Sequence, residues 1–344
     1  MLEISYTIKL KFAYQKFSGN VAGKNNVLYD KEREIETKEV FCMKGWNRIA
    51  AVMIAVLLGV NGKAHAFTGA GELQICRAEV SLPEASGTLV TKNDRAVIDY
   101  SNTGDGYVMI NHTAAAGGRL KAQVTGPVTT YTYNLTPGVW ETFPLSDGNG
   151  GYKVTILENV VDNKYAMVIS GSFQVSLKSE FEPFLHSNQY VNYATAAGTI
   201  AKAEELAGSA SGTLGKVEKI YNYVIGNVTY DKQKAASVKS GYLPVLDSVL
   251  SSGKGICFDY AALMAGMLRS QGIPCKLVVG YAGKAYHAWI SVWTEEDGWI
   301  DSIIYFDGSA WHRMDPTFAS ASGSSDSIME YIGDGSNYSV KYLY

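Results

Sequence analysis

Cysteine is scarce in this chain: four residues in 344, at positions 42, 76, 257 and 275. No Cys-x-x-Cys pair, no His-Glu-x-x-His helix and no acidic calcium loop occurs, so metal-ligand spacing is absent and neither a metal nor a cofactor is expected. A surplus of positive charge is missing as well. Residues 1–66 hold 10 Lys/Arg against 6 Asp/Glu, which leaves 20 basic and 27 acidic residues from Phe67 onward. A body of that charge is a poor match for nucleic acid or an anionic membrane surface. The apolar run at 49–60 is too short to span a bilayer comfortably.

That run has a different explanation. Met43-Lys44-Gly45-Trp46-Asn47-Arg48 is a short basic start, IAAVMIAVLLGV is uncharged, and Ala64-His65-Ala66 is an A-x-A cleavage site. Together they are the parts of a secretory signal peptide over 43–66. Residues 1–42 are then expected to be an upstream extension, and 67–81 a linker. Export is expected, to a secreted or cell-surface location, with no transmembrane segment after cleavage. Three cysteines would survive that cleavage, and an odd number in an exported chain leaves at least one free thiol. Cys76 and Cys275 could pair, but their spacing does not require it.

From 82 to 178 the pattern is short alternating runs, such as AVIDY at 96–100, LKAQV at 120–124 and YKVTI at 152–156. Turn clusters such as Thr136-Pro137-Gly138 recur every ten or so residues. Seven or eight strands of this kind predict an all-β sandwich without chemistry of its own. His112 lies beside a strand and reads as a surface or edge residue. After Phe184 the register changes. Leu214, Val217, Ile220, Tyr221 and Val224 recur at helical spacing behind a cap at Thr213. Pro244 suits the first turn of a short helix through Leu250. Ala261, Met264, Ala265 and Leu268 then mark a buried helix beginning near Cys257, with Gly272 placed to end it. Strand-like runs follow at 275–281, 286–294, 299–306 and 311–314, and Asp297-Gly298 and Asp307-Gly308 mark hairpin turns between the later ones. The tail at 338–344 alternates like a final strand. Helices followed by an antiparallel sheet make 179–344 an α+β domain.

Within that domain Cys257 sits where a glycine-broken loop, Gly253-Lys254-Gly255, becomes a helix. A thiol must lose its proton to attack a carbonyl, and two devices achieve this. A helix N-terminus favours the anion, and a nearby imidazole takes the proton. His287 opens a strand of the sheet expected to pack on this helix and is the best candidate base. Asp315, at the end of a later strand, could fix the imidazole's orientation. Asp301 is a rival for that third place. Cys275, in an apolar strand, reads as a core thiol. His312 reads as facing solvent or its neighbour, and His186 and Gln189 as linker residues. The tryptophans at 289, 293, 299 and 311 read first as sheet-packing residues.

Three stretches, GKGICFDYAALMAGMLRSQGIPCKLVVGY, YHAWISVW and WHRMDPTF, resemble the transglutaminase-like superfamily of papain-fold thiol enzymes. The resemblance runs from about Asn188 to the end of the chain. It implies a papain/transglutaminase-like catalytic domain with Cys257 as nucleophile, His287 as general base and acid, and Asp315 as orienting carboxylate. An extra segment at about 295–309 separates the His strand from Asp-Pro-Thr, which is what keeps Asp301 in contention. The Cys-Gly-Ser-Cys-Trp signature of papain proper is absent.

Acyl transfer follows from that resemblance. A thiolate attacks an amide carbonyl, the leaving amine departs, and a thioester remains for water or another amine. Water makes the chain a peptidase or amidohydrolase, the favoured expectation, and an amine makes it a cross-linking transglutaminase. The substrate would be an extracellular protein or peptide, cell-wall peptides included. A reading from another class keeps the fold as a non-catalytic surface binding protein with a relic triad.

Overall fold

The computed structural model describes residues 82–344 apart from 114, 116, 296–297, 302–304, 307–310 and 313–337, and at 305–306 and 311–312 it describes the backbone alone. The extension, signal peptide, linker and Cys76 therefore lie outside the described residues, as does Asp315.

The first part is strand-rich, as expected. Strands β1 (Val90–Lys92), β2 (Ala96–Asp99), β3 (Tyr107–His112) and β6 (Glu141–Pro144) form one four-stranded sheet in the order β1-β2-β3-β6. Strands β4 (Leu120–Thr125), β5 (Thr130–Leu135), β7 (Gly150–Val161) and β8 (Lys164–Val175) form a second in the order β5-β4-β7-β8. All their pairings are antiparallel. The period of two decides which side chains go inward: Tyr131, Tyr133 and Leu135 of β5 are buried while Thr130, Thr132 and Asn134 are exposed. Ile98, Val108, Ile110 and Phe143 of one sheet share a buried cluster with Ala122, Val124, Val154 and Ile156 of the other, the arrangement of a sandwich. In β3 every residue is buried, so His112 is an interior residue at 1% exposure, not the surface or edge residue expected from the sequence.

Helices follow, with two short strands among them: α1 (Ala197–Gly208), α2 (Gly212–Asn227), β9 (Thr229–Tyr230), α3 (Lys232–Ser237), α4 (Leu246–Ser252), β10 (Lys254–Gly255) and α5 (Cys257–Arg269). The start of α2 precedes the expected cap, because Ser211 takes the N-cap position and Thr213 lies inside the helix. Likewise Pro244 precedes α4, whose N-cap is Val245. From Asp259 to Arg269 every residue of α5 is buried, which fits its lack of a polar face. It lies among α1, α2 and α4 and against β11 (Cys275–Ala282) and β12 (Ala285–Thr294).

The second sheet region has the order β13-β12-β11-β16, with β13 at Gly298–Asp301 and β16 at Tyr338–Leu343. The expected meander is present from β11 to β13, and the tail strand joins the opposite edge beside β11. The run at 299–306 is not one strand: β14 (Tyr305–Phe306) pairs instead with β15 (Trp311–His312) in a separate ribbon. Arg269 ties the region together. Its Nε and Nη2 donate to Cys275 O at 2.8 and 2.6 Å, Nη2 also to Tyr344 O at 2.6 Å, and Nη1 to His186 O at 2.9 Å.

Candidate active site

Cys257 is the first residue of α5, and the backbone leading to it is held from several sides. Gly253 closes α4 in the left-handed region at φ +59, where a side chain would be strained. Lys254–Gly255 then forms a short strand parallel to Thr229–Tyr230. Thr229 N–H donates to Gly253 O at 2.8 Å and Asp231 N–H to Gly255 O at 2.9 Å. Gly255 is required for space, because a Cβ there would lie 2.7 Å from Asp259 Cβ.

Asp259, two residues into the helix after Cys257, completes the turn. Its Oδ2 accepts the Ile256 N–H at 2.8 Å and so satisfies an orphan donor at the helix start. The same oxygen receives Lys234 Nζ at 2.6 Å, and Oδ1 receives the Tyr242 hydroxyl at 2.5 Å. Lys234 Nζ also reaches Tyr242 OH at 2.6 Å. Burial alone would lower the Lys234 ammonium, but its bonds to Asp259 and Tyr242 outweigh that and hold it above the usual lysine range. Burial, reinforced by the Asp259 carboxylate, raises the Tyr242 hydroxyl. Asp231 caps α3 by accepting Lys234 N–H at 2.9 Å. Nothing in sequence spacing announced this network, whose members are 8 to 25 positions apart.

Cys257 is half-buried and packs against the hydrophobic core. Phe258 meets Tyr190 edge-on at 5.4 Å, and Tyr190 meets Tyr344 at 4.5 Å. Burial pushes the Tyr190 hydroxyl up to about 12. Partial burial raises the Tyr286 hydroxyl on β12, and the neighbouring Tyr342, Tyr281 and Cys257 add to the rise. Side chains alternate along β12. Ala288, Ile290 and Val292 belong to the core that α5 fills, and Tyr286 shares their parity. His287 has the other parity, buried beside Trp289 with ring centroids 6.2 Å apart. Tyr286, exposed at the start of β12, and the buried His287 therefore point to opposite faces of the same strand.

Asp301 stands opposite Ser291, whose hydroxyl donates to it at 2.6 Å. That is four residues, roughly 13 Å, along β12 from His287, too far for a carboxylate to orient the ring. Cys275 is fully buried and its thiol is pushed up to about 12 by that burial, as a core thiol should be. Gln189 bonds Asn134 O at 2.6 Å and Glu141 Oε1 at 2.9 Å, which ties it to the sandwich. Trp293 and Trp299 pack on Phe181. Elsewhere, Asp105, Glu182 and His186 bring ligand-type atoms within 4.8 Å of one another. The Lys178 ammonium, 2.5 Å from Asp105, already supplies a positive charge there.

Residues 200–302 match the model of the transglutaminase-like superfamily. A protein-glutamine gamma-glutamyltransferase of Pseudomonas aeruginosa is 34% identical in an alignment 68 residues long that covers 16% of this chain and 10% of that protein. The matched stretch thus spans a tenth of the length of that curated relative. Among solved structures, the periplasmic domain of TgpA from Pseudomonas aeruginosa aligns at 15% identity over 67% of this chain and 95% of that one, with a TM-score of 0.31. A protein of Cytophaga hutchinsonii provisionally described as a cysteine protease aligns at 19% identity over 61% and 71%, with a TM-score of 0.32.

Proposed function

Because residues 200–302 form a transglutaminase-like superfamily domain, we propose that this chain is an exported, cysteine-dependent acyl-transfer enzyme that hydrolyses amide bonds. The observation that carries the proposal is the placing of Cys257. A half-buried thiol stands at the first position of a buried helix, where the helix dipole favours an anion and the pinned loop before it cannot swing away.

In this reading the sulfur attacks the carbonyl carbon of an amide. The C–N bond breaks as a proton passes to the leaving amine, and the acyl group stays on Cys257 as a thioester. The Cys257 N–H is the first donor to the oxyanion. His287 carries the proton, a role that rests on the motif His287-Ala288-Trp289 and on its buried place in β12, the strand that packs on α5. Asp315 is the proposed orienting carboxylate. Water resolves the thioester. Location outside the cytoplasm is supported by the basic, apolar and A-x-A segments at 43–66. No helix among the described residues is long and apolar enough to cross a membrane. The substrates proposed are extracellular peptides or proteins, including wall peptides.

A second reading, transfer to an amine acceptor, is favoured by the gamma-glutamyltransferase relative. One incubation separates the two: the full chain with a glutamine-containing peptide and a fluorescent amine. Free acid or a cleaved peptide supports hydrolysis, and fluorescent peptide supports the transferase. Cys257→Ala should abolish either product. His287→Ala should lower turnover by about 10²–10⁴-fold while Tyr286→Phe keeps most of it. Turnover that survives His287→Ala and disappears in Tyr286→Phe would overturn the assignment of the base.

A further inference from the structure

We propose that Asp259, Lys234 and Tyr242 are positioning residues whose balanced charges hold Cys257 at the start of α5 and set how readily its thiol ionises. The inference rests on the proposed function in one respect: it takes Cys257 as the reacting group.

The Asp259 side chain is wholly buried, and its oxygens are engaged by Ile256 N–H, Lys234 Nζ and Tyr242 OH. A buried carboxylate is costly without such partners. Its place creates a second problem. A negative charge two residues from a nucleophilic thiol opposes formation of a thiolate, because like charges in a poorly screened site disfavour each other. The Lys234 ammonium offsets that charge, while the carboxylate still satisfies the helix-start donor. The arrangement therefore gains the capping bond without surrendering the positive end of the helix.

The network is also geometrically closed onto the cysteine loop. Asp231 N–H holds Gly255 O, Asp231 caps α3 through Lys234 N–H, and the Lys234 side chain returns to Asp259. A shift at α3 would thus reach the residues on either side of Cys257. The other titratable groups around this corner are Asp231 at the cap of α3, Lys254 on the loop, Tyr190 beside Phe258 and Tyr286 of β12. None of them changes in the variants below, so shifts between variants report the network.

A structural ion pair alone would fasten α3 to α5 and leave the thiol's titration unmoved. The test is iodoacetamide labelling of Cys257 in the purified full chain, followed by mass spectrometry from about pH 5 to about pH 9. Asp259→Asn leaves the ammonium unbalanced, and the half-maximal pH should fall by about half to one unit. Lys234→Met leaves the carboxylate unbalanced, and the half-maximal pH should rise by a similar amount. The double variant should return close to wild type. If Asp259→Asn fails to fold by circular dichroism, Lys234→Met and its rescue by Lys234→Arg carry the test. Coincident midpoints in the folded variants, or shifts of one sign in both single variants, would overturn the proposal. Wild-type Cys257 labelling no faster than in the unfolded chain would instead sink the enzyme reading, and the shifts would still be measurable.

Discussion

Replacing Gly255 by alanine places a methyl carbon 2.7 Å from Asp259 Cβ, with Asp259 Oδ2 and Cγ only 3.3 and 3.4 Å away. Carbon atoms do not rest that close, so something must move. Asp259 is poorly able to retreat, because three hydrogen bonds fix its carboxylate and its side chain is buried. Overpacking of this sort costs about 1–3 kcal/mol. Loosening the bond from Ile256 N–H to a charged acceptor adds part of about 1.5–3 kcal/mol. A loss of about 2–4 kcal/mol is expected, read as a lower urea midpoint at unchanged slope. Labelling of Cys257 by iodoacetamide should change as well, since the methyl group disturbs the turn that presents the sulfur. Gly226 is a useful contrast. It lies exposed near the end of α2 with nothing within 4 Å of a new Cβ, so alanine there should stabilise by about 0.5–1 kcal/mol. A Gly255→Ala variant within about 0.5 kcal/mol of wild type, labelled at the wild-type rate, would refute the packing argument.

Other outcomes follow from the same contacts. Asp247 accepts from Gly198 N–H at 3.1 Å and from Thr199 N–H and Oγ1–H at 2.7 Å each, at the start of α1. Asp247→Ala should cost about 1–2 kcal/mol near pH 7 in a denaturant titration. Burial opposes ionisation of Asp247, but its bonds to Thr199 and Gly198 prevail and hold the carboxyl below its usual value. A depressed folded value means the contribution is fully present above the unfolded value of about 3.9. It fades as pH falls through the folded value, so the gap between variant and wild type should close in acid. Arg269→Met strips a buried donor from the carbonyls of Cys275, Tyr344 and His186, and should cost about 3–5 kcal/mol by the same measurement.

What could be read from the sequence was what local chemistry dictates. The start of α5 at Cys257 followed from its glycine-broken approach, and the burial of Cys275 from its apolar strand. Alternation in 120–135 gave β4 and β5, whose buried and exposed residues do alternate. Long-range effects escaped. His112 was misplaced because β3 is buried along its whole length, so its sequence carries no period of two. Thr213 is not the cap because the helix is entered through Gly212, whose φ of +68 suits glycine and not a branched residue. Lys234, Tyr242 and Asp259 look in isolation like three ordinary polar residues on helices and a loop. Only the approach of α3 to the start of α5 makes them a unit. Nor did residue order show that Ala288, Ile290 and Val292 are the β12 residues that enter the core filled by α5.

The account stands most directly on how Cys257 reacts. Full-length protein near pH 7 would be treated briefly with iodoacetamide, and Cys257 and Cys275 quantified by mass spectrometry in the native and urea-unfolded chains. A nucleophilic thiol at a helix start should label at least about tenfold faster native than unfolded, with Cys275 protected until unfolding. Native Cys257 labelling as slowly as Cys275, or no faster than in urea, would contradict it.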